Sequence, residues 1–425
     1  MTSTDHDAKG RPKPRRIDFG IVWMGQGVSS IGTAVTTLVL PLVALVTLHA
    51  AAWQVSLLTA ATYTAYAVLA LPAGVWLDHR HRRPVVLGAD ACRAIVIASV
   101  PVAAVAGGLT MAQLVMVALA LGVFGVFFDV AYQSWLPGIV PPARLVRANG
   151  LLAATDAAGR LAGPGIGGAL YAAIGGAATL WLDAASFVVA ACSTALVKAR
   201  EHSLPLRPRD RVPLRDELKI GSRWLVRARP LRNLVAALAW MNLFVAVWLA
   251  VEVTFLVRTL HTASGTAGIV LALGSTGGIL GGLLSARVAD SVGDARALVV
   301  CAAIAGPCAL IVPSTTAVFG PWAMSIGLFG VLAANAMFTT ISTSYRQRIV
   351  PPHLLARVTS AIRLLTFAVL PLGALLGGLL VGLTSPRNVL VIAAIGYGSA
   401  VVWLGPISRD RDLRTTNHSA ATVVP

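Results

Sequence analysis

The chain has 425 residues, of which 56% are hydrophobic and only 12% charged, and its mean hydropathy is +0.78. Water-soluble domains carry about a quarter charged residues, so this composition excludes a soluble globular protein and points to lipid as the surrounding solvent. The net charge of +17 is not a nucleic-acid footprint, because the basic residues avoid the apolar runs and gather in a few connections, as in a positive-inside membrane protein.

A membrane-spanning helix needs about 20 apolar residues. Twelve stretches qualify: 19–48, 53–77, 84–106, 110–134, 149–174, 177–198, 231–257, 265–288, 296–314, 320–345, 360–384 and 388–406. The first follows the basic stretch "KGRPKPRR" and is too long for a signal-peptide core. The connections alternate in charge. "DHRHRRP", "PPARLVR", a segment at 198–232 with eleven Lys or Arg, Arg296, and then Arg346, Arg348 and Arg357 fall on one side. "HAAA", "AGGLTMAQ", "GGAA" and "PSTTAVFG" fall on the other, where only Arg258 and Arg387 are charged. The asymmetry places both termini in the cytoplasm of a cell whose inner, or plasma, membrane holds the chain. Within the long basic connection, "LRDELKIGSRWLVRARP" reads as an amphipathic helix under the inner leaflet.

The sequence repeats internally. Ile139-Val140-Pro141-Pro142 aligns on Ile349-Val350-Pro351-Pro352, and the same offset brings Phe128 onto Phe338, Arg147 onto Arg357 and Gly167-Gly168 onto Gly377-Gly378. The expected fold is therefore an all-α membrane protein with twelve transmembrane helices in two pseudo-symmetric six-helix bundles. The expected layout is a cytoplasmic tail (1–18), a bundle (19–198), a basic linker (199–230), a second bundle (231–407) and a second tail (408–425).

The stretch "AGRLAGPGIGGAL" at 158–170 has the glycine content of a phosphate loop. It lacks the Gly-Lys-Ser/Thr of a Walker loop, and no βαβ pattern surrounds it. Gly159, Gly163 and Gly167 instead recur every four residues along one helix face, which lets a neighbouring helix approach closely. Pro164 frees a carbonyl and permits a bend. The pattern Gly159, Gly163, Pro164, Gly167, Gly168 resembles the antiporter motif of the major facilitator superfamily, which implies an exporter. "GVWLDHRHRRP" at 74–84 is similar to that family's loop between helices 2 and 3, matching at Gly74, Asp78, Arg82 and Arg83, with His79 and His81 where arginine and glycine are usual. A degenerate copy carries Asp290. "FFDVAYQSWLPGIVPPARLVRANGLL" and "LWLDAASFVVAA" resemble the branch of macrolide-efflux and enterobactin-export proteins. The resemblance implies that Asp78 and its neighbours gate the cytoplasmic mouth, bridging the halves through charge contacts with a helix end.

Charges within spans are costly and mark function. Asp90 and Arg93 fall in the third span, Asp129 in the fourth, Asp156 and Arg160 in the fifth, Asp183 in the sixth, Glu252 in the seventh and Arg363 near the start of the eleventh. Arg93 can neutralise Asp129, and Arg160 can neutralise Asp156 at i,i+4. A carboxylate paired with arginine can serve packing alone. One whose pairing changes between states can exchange a proton. Asp129, Asp156, Arg160, Glu252 and Arg93 are the coupling or substrate candidates. Gln26, Asn242, Trp248 and Asn335, with Trp23 and Ser30 beside them, are candidates for an apolar cavity suited to a bulky, moderately polar molecule. The four cysteines lie in apolar runs without metal-ligand spacing, and no metal, cofactor or nucleic-acid partner is expected. The expected partners are the bilayer, protons and a small-molecule substrate, with the chain a monomer. The reading is a secondary active, proton-coupled exporter of a drug-like or secondary-metabolite molecule and not an enzyme. A small-nutrient importer of the same fold and a membrane-embedded enzyme are the alternatives.

Overall fold

The computed structural model describes residues 16–77, 80–141, 144–197, 222–316, 320–351 and 354–409, and these are almost wholly helical. The helices are α1 (Arg16–Leu42, continued as a π-helical turn at Val43–Thr47), α2 (Ala52–Leu77), α3 (Arg82–Val105), α4 (Met111–Ile139), α5 (Leu145–Ile174) and α6 (Gly176–Leu196). There follow α7 (Arg229–Thr254, continued at Phe255–Thr259), α8 (Ser264–Val292), α9 (Asp294–Ser314), α10 (Gly320–Ile349), α11 (Leu355–Phe367 and Val369–Leu383) and α12 (Pro386–Gly398 and Val401–Arg409). Each of the twelve apolar stretches lies on one of these helices. Ten of the helices, among the described residues, are long and apolar enough to cross a membrane. The other two are α2 and α5, and α5 carries Arg147, Asp156 and Arg160.

Lipid explains the surface. Leu283, Leu383, Ile95 and Val402 are each more than 70% exposed, an arrangement that hydrocarbon rewards and water would not. Helix ends follow local chemistry. Thr110 and Ser385 cap α4 and α12 by accepting from the backbone N–H of Gln113 and Asn388. Gly175 and Gly293, at φ +86° and +82°, make the one-residue turns between α5 and α6 and between α8 and α9. Pro371 has no N–H for the Phe367 carbonyl, and α11 breaks there.

Several helices run past their apolar stretches. The chain between α4 and α5 shrinks to residues 140–144, and α10 and α11 likewise extend toward Pro351. The flanking Arg147, Arg346, Arg348 and Arg357 lie within helix ends, from which long cationic side chains reach water. Val140, just before Pro141, is extended (φ −118°, ψ 129°), as the residue before proline must be, and this stops α4. Of the expected amphipathic helix, residues 222–227 are helical and the rest lies outside the described residues, as do most of both tails.

Packing follows the repeat. α1 packs on α5 and α6, α2 on α4, and α3 on α4 and α6. Shifted by six, α7 packs on α11 and α12, α8 on α10, and α9 on α10 and α12. Between the two sets the principal contacts are α5 on α8 and α2 on α11, also related by that shift.

Candidate functional site

A cavity of about 1340 Å³ lies between the two sets of helices and is lined by both. Glycines set its frame. A Cβ at Gly159 would meet Ser30, one at Gly163 would meet Ala34, and one at Gly167 would lie 3.3 Å from Val35 Cγ1, all on α1. The four-residue stripe thus packs within its own half. The contact between halves falls on the adjacent face of α5, where a Cβ at Gly168 would sit 3.0 Å from Gly268 Cα and one at Gly268 would collide with the Pro164 carbonyl oxygen. The neighbouring helix that the stripe lets approach is therefore α1, and α5 builds both contacts because the adjacent Gly167 and Gly168 serve its two adjoining faces. The second half repeats the plan. Gly373 and Gly377 press on the Leu243 and Val247 carbonyls of α7, while Gly378 meets Ser56 and Trp53 of α2.

The first-half wall is polar and its carboxylates are hydrogen-bonded. Arg93 forms an ion pair with Asp90 one turn earlier, and its guanidinium lies over the rings of Phe128 and Phe187, 4.2 and 4.6 Å from their centroids. Gln26 donates to the other Asp90 oxygen (3.2 Å). Tyr66 donates to Asp129 (3.0 Å) and Ser30 to Asp156 (2.9 Å). Asp183 accepts from Thr36 and from Ser186. Trp23 donates to Thr155 (2.9 Å). The pairing expected from sequence is therefore corrected twice: Arg93 pairs with Asp90, not Asp129, and Asp156 is held by Ser30, not Arg160. The cause is rotation about the helix axes. α3 turns Asp90 and Arg93 to the same buried side, whereas Asp156 and Arg160 both lie on the exposed, cavity-facing side of α5.

The second-half wall is mainly apolar. Phe244, Leu249, Val253, Leu271, Leu328 and Leu332 face the cavity. Glu252 is 9% exposed and lines the cavity together with Trp248, one turn earlier on α7. Asn335, also lining, accepts from Tyr397 (3.0 Å). Arg363 enters from α11.

Of the sequence candidates, Gln26, Arg93, Asp129, Asp156, Arg160, Trp248, Glu252 and Asn335 all reach this one cavity. Asn242 does not line it and donates to the Thr366 carbonyl, holding α7 on α11. Asp183, which was not among the coupling or substrate candidates, lines the cavity; its partner Thr36 and the Asp129 donor Tyr66 were missed, because a lone hydroxyl in an apolar run carries no signal until its neighbour is known. Asp78 and His79 lie outside the described residues. Arg83 donates to the Thr194 and Ala195 carbonyls at the end of α6, where a helix terminus attracts cations, and Arg82 donates to the Ser134 carbonyl. A Cβ at Gly74 would meet open space. Asp290 is exposed in the last turn of α8. The ion pair nearby joins Arg348 of α10 to Asp294 of α9 instead.

The sequence profile described as Major Facilitator Superfamily matches residues 22–364 and 231–423. The chain is 26% identical to the multidrug efflux pump Tap of Mycolicibacterium fortuitum, over 81% of this chain and 85% of that protein. It is 27% identical to the multidrug efflux pump Tap of Mycobacterium tuberculosis, over 85% and 87% respectively. Its fold resembles that of a point mutant of the nucleoside transporter NupG, with TM-score 0.75 and 13% identity over 91% of this chain and 98% of that one. It also resembles a bacterial homologue of the iron transporter ferroportin in an inward-facing state, with TM-score 0.68 and 19% identity over 92% and 99%.

Proposed function

Because the chain belongs to the major facilitator superfamily of membrane transporters, we propose that it is a proton-coupled secondary exporter of drug-like or secondary-metabolite molecules, working by alternating access. The observation that carries this reading is the single large cavity shared by both halves, with five carboxylate and arginine side chains on one wall and an apolar surface on the other. Similarity to efflux pumps named Tap favours export over import.

In this reading residues 19–198 and 231–407 are pseudo-symmetric six-helix bundles of twelve spans in all, joined by the cytoplasmic linker 199–230 and flanked by the cytoplasmic tails 1–18 and 408–425. The chain acts as a monomer in the plasma membrane. The matching pair pattern of the two sets of helices supports the bundles. Rocking opens the cavity first to one side and then to the other. The seams α5/α8 and α2/α11 close one end, where bare backbone surfaces at Gly168 and Gly268 meet without side chains to unlock. The loop at Gly74, Asp78, Arg82 and Arg83, with Asp290 in its second copy, gates the other end. Asp129 and Asp156 are the proton carriers we favour. Each faces the cavity and is held by a hydroxyl rather than by a fixed cation, so its charge state is free to follow the state of the cavity.

Everted vesicles carrying the protein and an imposed pH gradient test this reading. A compound from a panel of antibiotics and siderophores is expected to dissipate the gradient, and Asp129→Asn to abolish the response. Absence of any response across the panel would overturn proton-coupled export.

A further inference from the structure

We propose that a trough between α2 and α11, on the outer face of the helix bundle, binds an anionic phospholipid, with one acyl chain in the trough and the phosphate on Arg258. The site lies outside the cavity, so the proposal goes beyond the export reading and does not rest on it.

The trough holds about 390 Å³. Ser56, Ala374 and Gly378 are buried beneath it, and the exposed Trp53, Leu375, Leu379 and Leu383 stand around it. Its floor offers no free polar group, because the Ser56 hydroxyl is spent on the Ala250 carbonyl across the halves (3.1 Å). Along α11 the lining runs from Ala374 to Leu383, about 14 Å at 1.5 Å per residue. Spread over that length, the volume suits one extended hydrocarbon chain better than a compact molecule. Trp53 sits at the start of α2, and an exposed tryptophan at the end of a spanning helix settles at headgroup depth. From that level the trough runs inward, the direction an acyl chain takes.

The twin seam is built differently. The offset that aligns Pro141 on Pro351 sets Gly165, Ala169 and Ala173 of α5 at the places of Leu375, Leu379 and Leu383. The offset that aligns Thr47-Leu48-His49 on Thr259-Leu260-His261 sets Gly265 of α8 at the place of Trp53. The α5/α8 seam thus has backbone contact at Gly168 and Gly268 and no large side chains at these positions to wall a trough.

Charge supplies the second half of the argument. At this end of the bundle, opposite the basic linker, Arg258 and Arg387 run against the positive-inside bias. Arg387 is turned inward, donating to the Thr315 carbonyl and lying over the Phe255 ring. Arg258 is exposed and forms no ion pair among the described residues. It donates to the carbonyl of Ala50, three residues before Trp53, which holds it at the mouth of the trough. A guanidinium has five N–H donors, and those left over suit a phosphate oxygen. A cation at headgroup depth above a hydrocarbon trough is the two-part chemistry of a phospholipid. Because α2 belongs to one half and α11 and Arg258 to the other, the bound lipid bridges the seam.

The test uses the full-length protein in lipid nanodiscs doped with phosphatidylglycerol or phosphatidylcholine, each carrying a photoreactive diazirine in one acyl chain, with the labelled peptides mapped by mass spectrometry. In the wild type, phosphatidylglycerol is expected to label residues 53–57 and 374–383 about fivefold more than phosphatidylcholine. Arg258→Gln should abolish that excess, and Arg258→Lys, which keeps the charge, should retain most of it. A Cβ at Gly382 meets open space, so Gly382→Leu should fold normally, fill the trough and lower labelling by both lipids. Equal labelling of the wild type by the two lipids, an excess that survives Arg258→Gln, equal loss in Arg258→Lys and Arg258→Gln, or undiminished labelling of Gly382→Leu would each overturn the site. Suppression of labelling by free glycerol phosphate would assign Arg258 to a soluble anion and overturn it too. Failure of export in vesicles leaves these outcomes untouched, and failure of lipid labelling leaves the export reading standing.

Discussion

The two walls of the cavity share a backbone plan and differ in their electrostatics. On the first, Asp129, Asp156 and Asp183 each accept at least one side-chain hydrogen bond, and Arg93 lies over two aromatic rings and pairs with the fully buried Asp90. On the second, a single carboxylate, Glu252, faces a mainly apolar surface. The divergence shows that packing and charge answer to different constraints: the glycine contacts must recur because both bundles use them to bring helices together, whereas a charge needs a partner only where nothing else will supply one.

This contrast can be broken most easily at Arg93. Arg93→Met leaves Asp90, which is fully buried, without its cation, a loss of about 3–5 kcal/mol. A large drop in the apparent melting temperature of the purified protein is expected, partly restored in the double variant Asp90→Asn/Arg93→Met. Glu252→Gln removes a charge with no ion-pair partner among the described residues, so its melting temperature should be unchanged or higher. The reverse ranking of these two variants would mean that the walls do not differ in this way.

A second measurement sharpens what the halves share. Gly163→Val and Gly373→Val each drive a side chain into the neighbouring helix of the same half, toward Ala34 in one and the Leu243 carbonyl in the other. Overpacking of this kind costs about 1–3 kcal/mol, and the two variants should melt within a few degrees of one another. A wide separation would show that the repeated glycines have taken on different structural roles.

The smallest expected effect is at Tyr66. Tyr66→Phe removes one hydrogen bond to Asp129, about 0.5–1.5 kcal/mol of stability, and the melting curve should shift only slightly. A loss as large as that of Arg93→Met would place Asp129, not Asp90, at the centre of the first wall.

Much of this was legible in the residues themselves. Lipid solvation acts on each segment separately, so the apolar stretches marked every long helix. The glycine run at 159–168 announced close packing, since only glycine lets two backbones touch. The repeat at Pro141 and Pro351 foretold the matched arrangement of helices. Thr47-Leu48-His49 and Thr259-Leu260-His261 stand in the sequence as plainly, but that both histidines take a positive φ, 51° and 50°, is a shared backbone turn that no residue pattern announces.

Composition, periodicity and repeat thus determined that the chain is helical, membrane-embedded and built twice over, because those properties depend on local solvent preference and on spacing along one helix. Only the tertiary structure decided that Arg93 meets Asp90, that Ser30 holds Asp156, that Gly168 rather than the glycine stripe touches the other half, and that Glu252 lies buried in the cavity's mainly apolar wall. Each of those facts depends on how far a helix is rotated about its axis, and that angle is set by the neighbours it packs against, not by its own residues.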